Sequence, residues 1–246
     1  MGKPSLDRGE LAGRSGGFGR TLTALVLFGA AFGYVEAAAA IYLRVIYEPV
    51  HRRVFPDSPA GDLFPLVPLD RLQAEEPQGM HWLAIELGRE AATLVMLAAV
   101  GLLLARSFRQ GFAAFLIAFG VWDLFYYVFL KLLIGWPDSV LAWDLLFLLP
   151  VPWAGPVLAP VLVALGMVGA GSVMLFSAMR GRPLRLGRVH WVGLVAGGLV
   201  VVAAFCWDYP NLMAGGEPNA FKWPVFLSGS AVGLVAFSHA WRAPGR

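Results

Sequence analysis

Charge and cysteine are scarce in this chain. Charged residues make up 14% of the 246, against roughly 25% in a soluble domain, which excludes an ordinary water-soluble globule. The one cysteine, Cys206, excludes an intrachain disulfide or a thiolate metal cluster made by this chain alone. There is no Gly-rich phosphate loop, no dinucleotide fingerprint and no Ser/His/Asp or Cys/His arrangement, so nucleotide-driven work by the chain alone is not expected. Net charge is only +3, from 19 Lys+Arg against 16 Asp+Glu, and no nucleic-acid partner is expected from so small an excess. Disorder is excluded as well, because 58% of the residues are hydrophobic and disorder needs low hydrophobicity.

Long apolar runs are what the sequence has instead. Six of them, residues 22–46, 82–105, 112–134, 156–179, 189–206 and 224–241, approach the roughly 20 residues a helix needs to cross a hydrocarbon core of about 30 Å. Residues 139–149 form a shorter run between Trp136-Pro137-Asp138 and Pro150-Val151-Pro152. As a helix it would reach about 16 Å, which predicts a re-entrant or interfacial half-helix capped by Asp138 or Ser139 and stopped by the prolines. The expected fold is all-α: a single polytopic transmembrane domain over residues 21–246, with six spans and one half-helix, preceded by a flexible cytoplasmic tail over residues 1–20.

Orientation follows from the basic residues, which collect on the cytoplasmic side. With the N-terminus inside, the inner segments hold 12 Lys and Arg, including Lys3, Arg106, Arg109 and the run Arg180, Arg182, Arg185 and Arg188, and the outer loops hold Arg52, Arg53, Arg71 and Lys222. Both termini are therefore expected to be cytoplasmic, and the Pro- and carboxylate-rich loop 47–80 extracytoplasmic. The pairs Gly29/Gly33, Gly193/Gly197 and Gly229/Gly233 have the small-xxx-small spacing that lets helices approach closely. They are expected to pack helices of this chain, or helices of other membrane subunits.

Ionisable residues within spans are costly and mark function by default. Here they are Glu36 in the first span, Glu86, Arg89 and Glu90 in the second, Asp123 in the third and Asp144 in the short run. Counting about 1.5 Å per residue puts Glu36, Glu86, Glu90 and Asp123 at about 21, 22, 17 and 18 Å from the inner boundary, close to one level. Helical spacing adds Tyr126 and Tyr127 to the Asp123 face, and Arg44 and Tyr47 to the Glu36 face. Ion pairs of Arg89 with Glu86 or Glu90, Arg44 with Glu36 and Lys131 with Asp123 would glue the helices. Even so, the deep acids outnumber the one equally deep base, Arg89, and the excess must be protonated or met by a cation.

Glu36, Glu86, Glu90 and Asp123 together offer all-oxygen ligation suited to a hard divalent cation. No Glu-x-x-His is present, which disfavours a di-iron carboxylate bundle. His190 and His239 fall near the same cytoplasmic surface, a placement that permits bis-His ligation of haem b. The simpler expectation is an interfacial role beside Trp191 and Trp241. No cofactor is assigned from the residues. His51 and His81 are expected at the outer surface.

The strings Gly33-Tyr34-Val35-Glu36-Ala37-Ala38, Gly88-Arg89-Glu90-Ala91-Ala92-Thr93, Trp122-Asp123-Leu124-Phe125-Tyr126-Tyr127, and Trp143-Asp144 running into Pro150-Val151-Pro152-Trp153 resemble an uncharacterised group of bacterial polytopic inner-membrane proteins. The resemblance spans roughly residues 22–179. It implies a bacterial inner-membrane location and no particular activity.

Three functions stay open. One is binding or translocation of protons, a small cation or a small polar solute at a carboxylate/Arg site open to the extracytoplasmic side. The second is an integral subunit or assembly factor of a larger membrane complex. The third is a membrane-embedded enzyme acting on a lipid-linked or periplasmic substrate, with a carboxyl as general base and Arg89 as anion clamp.

Overall fold

A computed structural model describes residues 8–59 and 61–242, with residues 8–16 described by their backbone alone. Its helices are α1 (Arg8–Val54), α2 (Leu69–Glu75), α3 (Gly79–Leu103), α4 (Phe108–Ile134), α5 (Leu158–Met179), α6 (Arg188–Phe205), α7 (Tyr209–Met213) and α8 (Trp223–Arg242), with strands β1 (Trp143–Phe147) and β2 (Trp153–Pro156) between α4 and α5. Five helices, α1, α4, α5, α6 and α8, are long and apolar enough to cross a membrane. With 25 residues, α3 has the length but carries Glu86, Arg89 and Glu90 along its middle.

Helix α4 is the hub. Its Ala113, Ala114, Ile117, Ala118 and Val121 are buried because helices approach it from three sides. Small residues permit this: a Cβ on Gly33 of α1 would lie 2.7 Å from the Trp122 carbonyl oxygen of α4. Helix α5 takes the opposite flank and α3 a third. Ser107 caps the start of α4 by accepting from the Gln110 N–H, and Gly135, at φ 76°, ends it in the left-handed conformation that glycine adopts without penalty. Helices α6 and α8 form a separate close pair, in which a Cβ on Gly197 would lie 2.6 Å from the Gly229 carbonyl oxygen. The three glycine pairs named from the sequence are thus occupied by helices of this chain.

The α6/α8 pair meets the rest of the molecule at two levels. Near the starts of α4 and α6, Trp191 packs edge-on against Phe112, ring centroids 5.3 Å apart. At the other end Phe205 and Phe226 pack with Trp153 of the hairpin.

The expected half-helix is a correction. Residues 143–147 pair antiparallel with residues 153–156 (Trp143 opposite Pro156, Asp144 opposite Gly155, Leu145 opposite Ala154), with a bulge between Leu145 and Phe147. An apolar run this short does not distinguish strand from helix by periodicity. An isolated short helix also pays for nucleation with few hydrogen bonds in return, whereas the residues after Pro152 supply a pairing strand. Ser139 accepts from the Leu141 N–H at 3.1 Å and so closes a turn, the local role open to serine instead of a helix cap. The described residues are therefore mostly helical, with one small sheet.

The first turns also differ from expectation. Of the stretch expected as a tail, residues 1–7 lie outside the described residues, and α1 begins at Arg8. Phe18 is anchored edge-on against Phe176 of α5, centroids 5.2 Å apart. At its far end α1 runs on to Val54, through the expected start of the outer loop. The chain then folds back, and Val67 and Leu72 pack on Val50. His51, expected at the surface, is only 1% exposed. Its Nε2 lies 2.9 Å from the Pro65 carbonyl oxygen, and the Tyr47 hydroxyl accepts from the Val67 N–H at 2.6 Å. The segment between α1 and α3 is thereby fastened to α1.

Candidate functional site

The acids that share a stripe on α3 have different partners. The Arg89 guanidinium donates from Nε to Glu86 Oε2 at 2.8 Å and from Nη1 to Glu36 Oε2 of α1 at 2.7 Å. A second bond from Nη2 makes its grip on Glu86 bidentate, the geometry for which arginine is suited. This knot ties α3 to α1, two helices that otherwise pack on α4.

Glu90 does something else. Both its carboxylate oxygens accept from the Leu148 backbone N–H, at 3.0 and 2.9 Å, just after the end of β1. Thus α3 holds the hairpin through a main-chain group that would otherwise be an orphaned donor. Within the hairpin, Asp144 is fully buried. Its Oδ2 accepts from the Tyr127 hydroxyl of α4 at 3.0 Å, and its Oδ1 faces Arg44 Nη2 of α1 at 3.8 Å. Arg44 also lies over the Trp136 ring, 4.3 Å from its centroid. Two of the expected ion pairs are therefore corrected. Arg44 pairs with Asp144 and not Glu36, because the hairpin carries Asp144 inward beside it. Lys131 donates to the Gly135 and Pro137 carbonyl oxygens at 2.7 and 2.8 Å and not to Asp123, because the end of α4 leaves carbonyls free within reach of its side chain.

These groups surround one cavity of about 850 Å³. Glu36, Glu86, Arg89 and Glu90 line it from α1 and α3, Asp123, Tyr126 and Tyr127 from α4, and Asp144 from the hairpin, so all eight side chains selected from the sequence meet there. The sequence did not reveal the rest of the enclosure. Leu66, Val67 and Leu72, from the segment between α1 and α3, line it too, and Val163 and Met167 of α5 with Val201 and Phe205 of α6 form a wall with no charge. The rim includes Ile46, Leu69, Trp82 and Tyr209, apolar or amphipathic side chains that stay exposed. Helix α3 packs on α4 and α2, and α6 on α8 and β2, so the cavity occupies the gap between the two packed groups.

Among the described residues, four buried side-chain polar atoms have no hydrogen-bond partner: Asp144 Oδ1, Arg44 Nη2, Trp122 Nε1 and Trp153 Nε1. All four residues line the cavity. Among the described residues no group of three or more His, Cys, Asp or Glu is arranged to hold a metal ion. Within the tetrad proposed as metal ligands, Glu36 and Glu86 are engaged by Arg89 and Glu90 by Leu148. His190 and His239 do come together, but with His190 Nε2 hydrogen-bonded directly to His239 Nδ1 at 2.9 Å and the rings stacked. The other His190 nitrogen accepts from the Gly187 N–H at 3.0 Å, so this pair in its present form leaves no gap for an iron between the rings.

No family model, curated protein or solved structure matches this chain.

Proposed function

We propose that this chain is a multi-pass membrane protein that binds an amphipathic, lipid-like molecule in the cavity between α3 and the α5/α6 wall. In this reading α3 is a sixth span, whose charges are tolerated because they face the cavity and pair there. Both termini lie on the cytoplasmic side, as the basic residues favour, in the bacterial inner membrane that the sequence resemblance implies. Glu36, Glu90 and Asp123 then sit near mid-membrane, and the outer loop closes the extracytoplasmic end.

One observation carries the reading: the cavity has a charged wall, uncharged apolar walls and an exposed apolar rim. At about 850 Å³ it falls within the roughly 300–1,000 Å³ of sites for drug-sized ligands, far more space than a proton or a bare cation needs. The walls from α5 and α6 suit a hydrocarbon chain, and the α1/α3/α4 wall suits a polar end. A rim of exposed Ile46, Leu69 and Trp82 favours entry from the bilayer over entry from water. This reading replaces the protons, small cation or small polar solute expected from the sequence with an amphipathic molecule.

Gly198 provides the test. It lines the cavity, and a Cβ added there meets nothing within 4 Å, so Gly198→Phe fills the cavity without a clash at its root. A dansyl-labelled dodecyl chain titrated into the purified protein should show saturable energy transfer from tryptophan. Gly198→Phe should abolish the saturable component and leave the melting temperature within a few degrees of the parent. Undiminished saturable transfer in that variant would refute the reading.

A further inference from the structure

We propose that the polar end of the bound amphiphile is a protonated primary or secondary amine, seated between Asp123 and Asp144. The inference rests on the amphiphile-binding cavity proposed above and names the chemistry of its polar end.

The charge balance comes first. Six carboxylates line the cavity (Glu36, Glu76, Glu86, Glu90, Asp123 and Asp144) against two guanidiniums, Arg44 and Arg89, and Glu76 is paired with Arg53 outside the lining. Arg89 is committed to Glu36 and Glu86, and Glu90 to the Leu148 N–H. Asp123 and Asp144 share Arg44 alone, so part of the unmet negative charge falls on this pair. Asp123 of α4 interacts electrostatically with Asp144 and Glu36, and no described residue hydrogen-bonds it. Asp144 has a side chain only 1% exposed and one oxygen, Oδ1, with no hydrogen-bond partner. The one cation near it among the described residues, Arg44, stands 3.8 Å away, beyond hydrogen-bond length.

A buried carboxylate oxygen without a donor is costly, and an ammonium N–H supplies what it lacks. The ammonium charge offsets the excess of acids, and each of its protons donates to an oxygen with a free lone pair. Aromatic side chains line the same cavity: Tyr126 and Tyr127, whose rings lie 4.9 Å apart. A cation that lies over the face of either ring gains a further attraction. A quaternary ammonium would bring the charge without the N–H, and a carboxylate or phosphate would add to the excess negative charge.

Thermal melts of the detergent-solubilised full chain with four dodecyl probes separate these cases. Dodecylamine should raise the melting temperature saturably and bind at least tenfold more tightly than dodecanol, dodecyltrimethylammonium or dodecanoate. Asp144→Asn, which keeps an acceptor for Tyr127, and Asp123→Asn should each erase most of the amine preference while dodecanol binds as to the parent; retained dodecanol binding shows that the cavity is intact. Equal binding of dodecylamine and dodecanol would overturn the amine and leave the amphiphile cavity standing. Tighter dodecanoate would overturn it in favour of Arg44 as the anchor, and equally tight dodecyltrimethylammonium would overturn the N–H donation. An amine preference that survives in both variants would overturn the assigned seat. Binding of none of the four probes would remove the cavity reading itself.

Discussion

Replacing Arg89 by Met tests the knot that ties α3 to α1. The substitution keeps most of the aliphatic volume but removes a guanidinium that bonds Glu86 at 2.8 Å and Glu36 at 2.7 Å. Both carboxylates lose their cation and are left side by side with 11% and 14% side-chain exposure. Breaking a buried pair by removing one partner costs about 3–5 kcal/mol. Arg89 keeps 29% exposure, so solvent screens part of the interaction and the lower end, about 3 kcal/mol, is expected. At about 2–4 °C per kcal/mol for a chain of this size, that is a fall of about 6–12 °C in melting temperature. Arg89→Lys should fall in between, since it restores the charge without the bidentate fork. Combining Arg89→Met with Glu86→Gln should recover part of the loss, with a coupling of about 1–3 kcal/mol in the double-mutant cycle. Tryptophan-detected melts in mild detergent give all of these values. An Arg89→Met protein that melts like the parent, or a cycle with no coupling, would refute the argument.

Other consequences are equally specific. Glu90→Ala should cost about 1–3 kcal/mol by orphaning the Leu148 N–H, whereas Glu90→Gln, which keeps an acceptor oxygen, should cost less than half as much; equal losses in chemical unfolding would show that the charge, and not the clamp, matters. Gly197→Ala puts a Cβ 2.6 Å from the Gly229 carbonyl oxygen and 2.8 Å from the Gly233 nitrogen, and this overpacking against backbone should cost about 1–3 kcal/mol in the same melts. For orientation, a cysteine placed at Ser58 in a Cys206→Ala background should react with an impermeant maleimide added outside intact cells. Labelling at Ser58 only after the inner face is exposed would reverse the topology.

The sequence was most informative where periodicity carries the signal. Spacing of three and four put Glu86, Arg89 and Glu90 on one face of α3, and a rise of about 1.5 Å per residue placed Glu36 and Asp123 near their level; these side chains line one cavity. Partner choice was less legible. Glu90 is bound by the backbone N–H of Leu148, and a main-chain donor leaves no mark on composition or spacing. Asp144 reaches Arg44 because residues 143–147 form a strand, and an apolar run of that length does not by itself choose between strand and helix. Lys131 turned to carbonyls at the end of α4, which Gly135 marks in the sequence but whose reach depends on the following turn. The burial of His51 depends on Pro65, a contact made only when the outer loop folds back over α1. Local pattern thus located the charged wall, and non-local folding decided its pairing and enclosed the apolar space beside it.

The proposed function requires a hydrocarbon chain lying between α3 and the α5/α6 wall. The most direct measurement is photo-crosslinking of the purified protein with a dodecyl chain bearing a terminal diazirine, followed by peptide mapping. Labels are expected on cavity-lining Leu87, Met167 and Val201, saturating with probe concentration and vanishing in Gly198→Phe. Labels confined to outward-facing side chains such as Leu102, Leu103, Val189 and Val192, and unchanged in that variant, would contradict it.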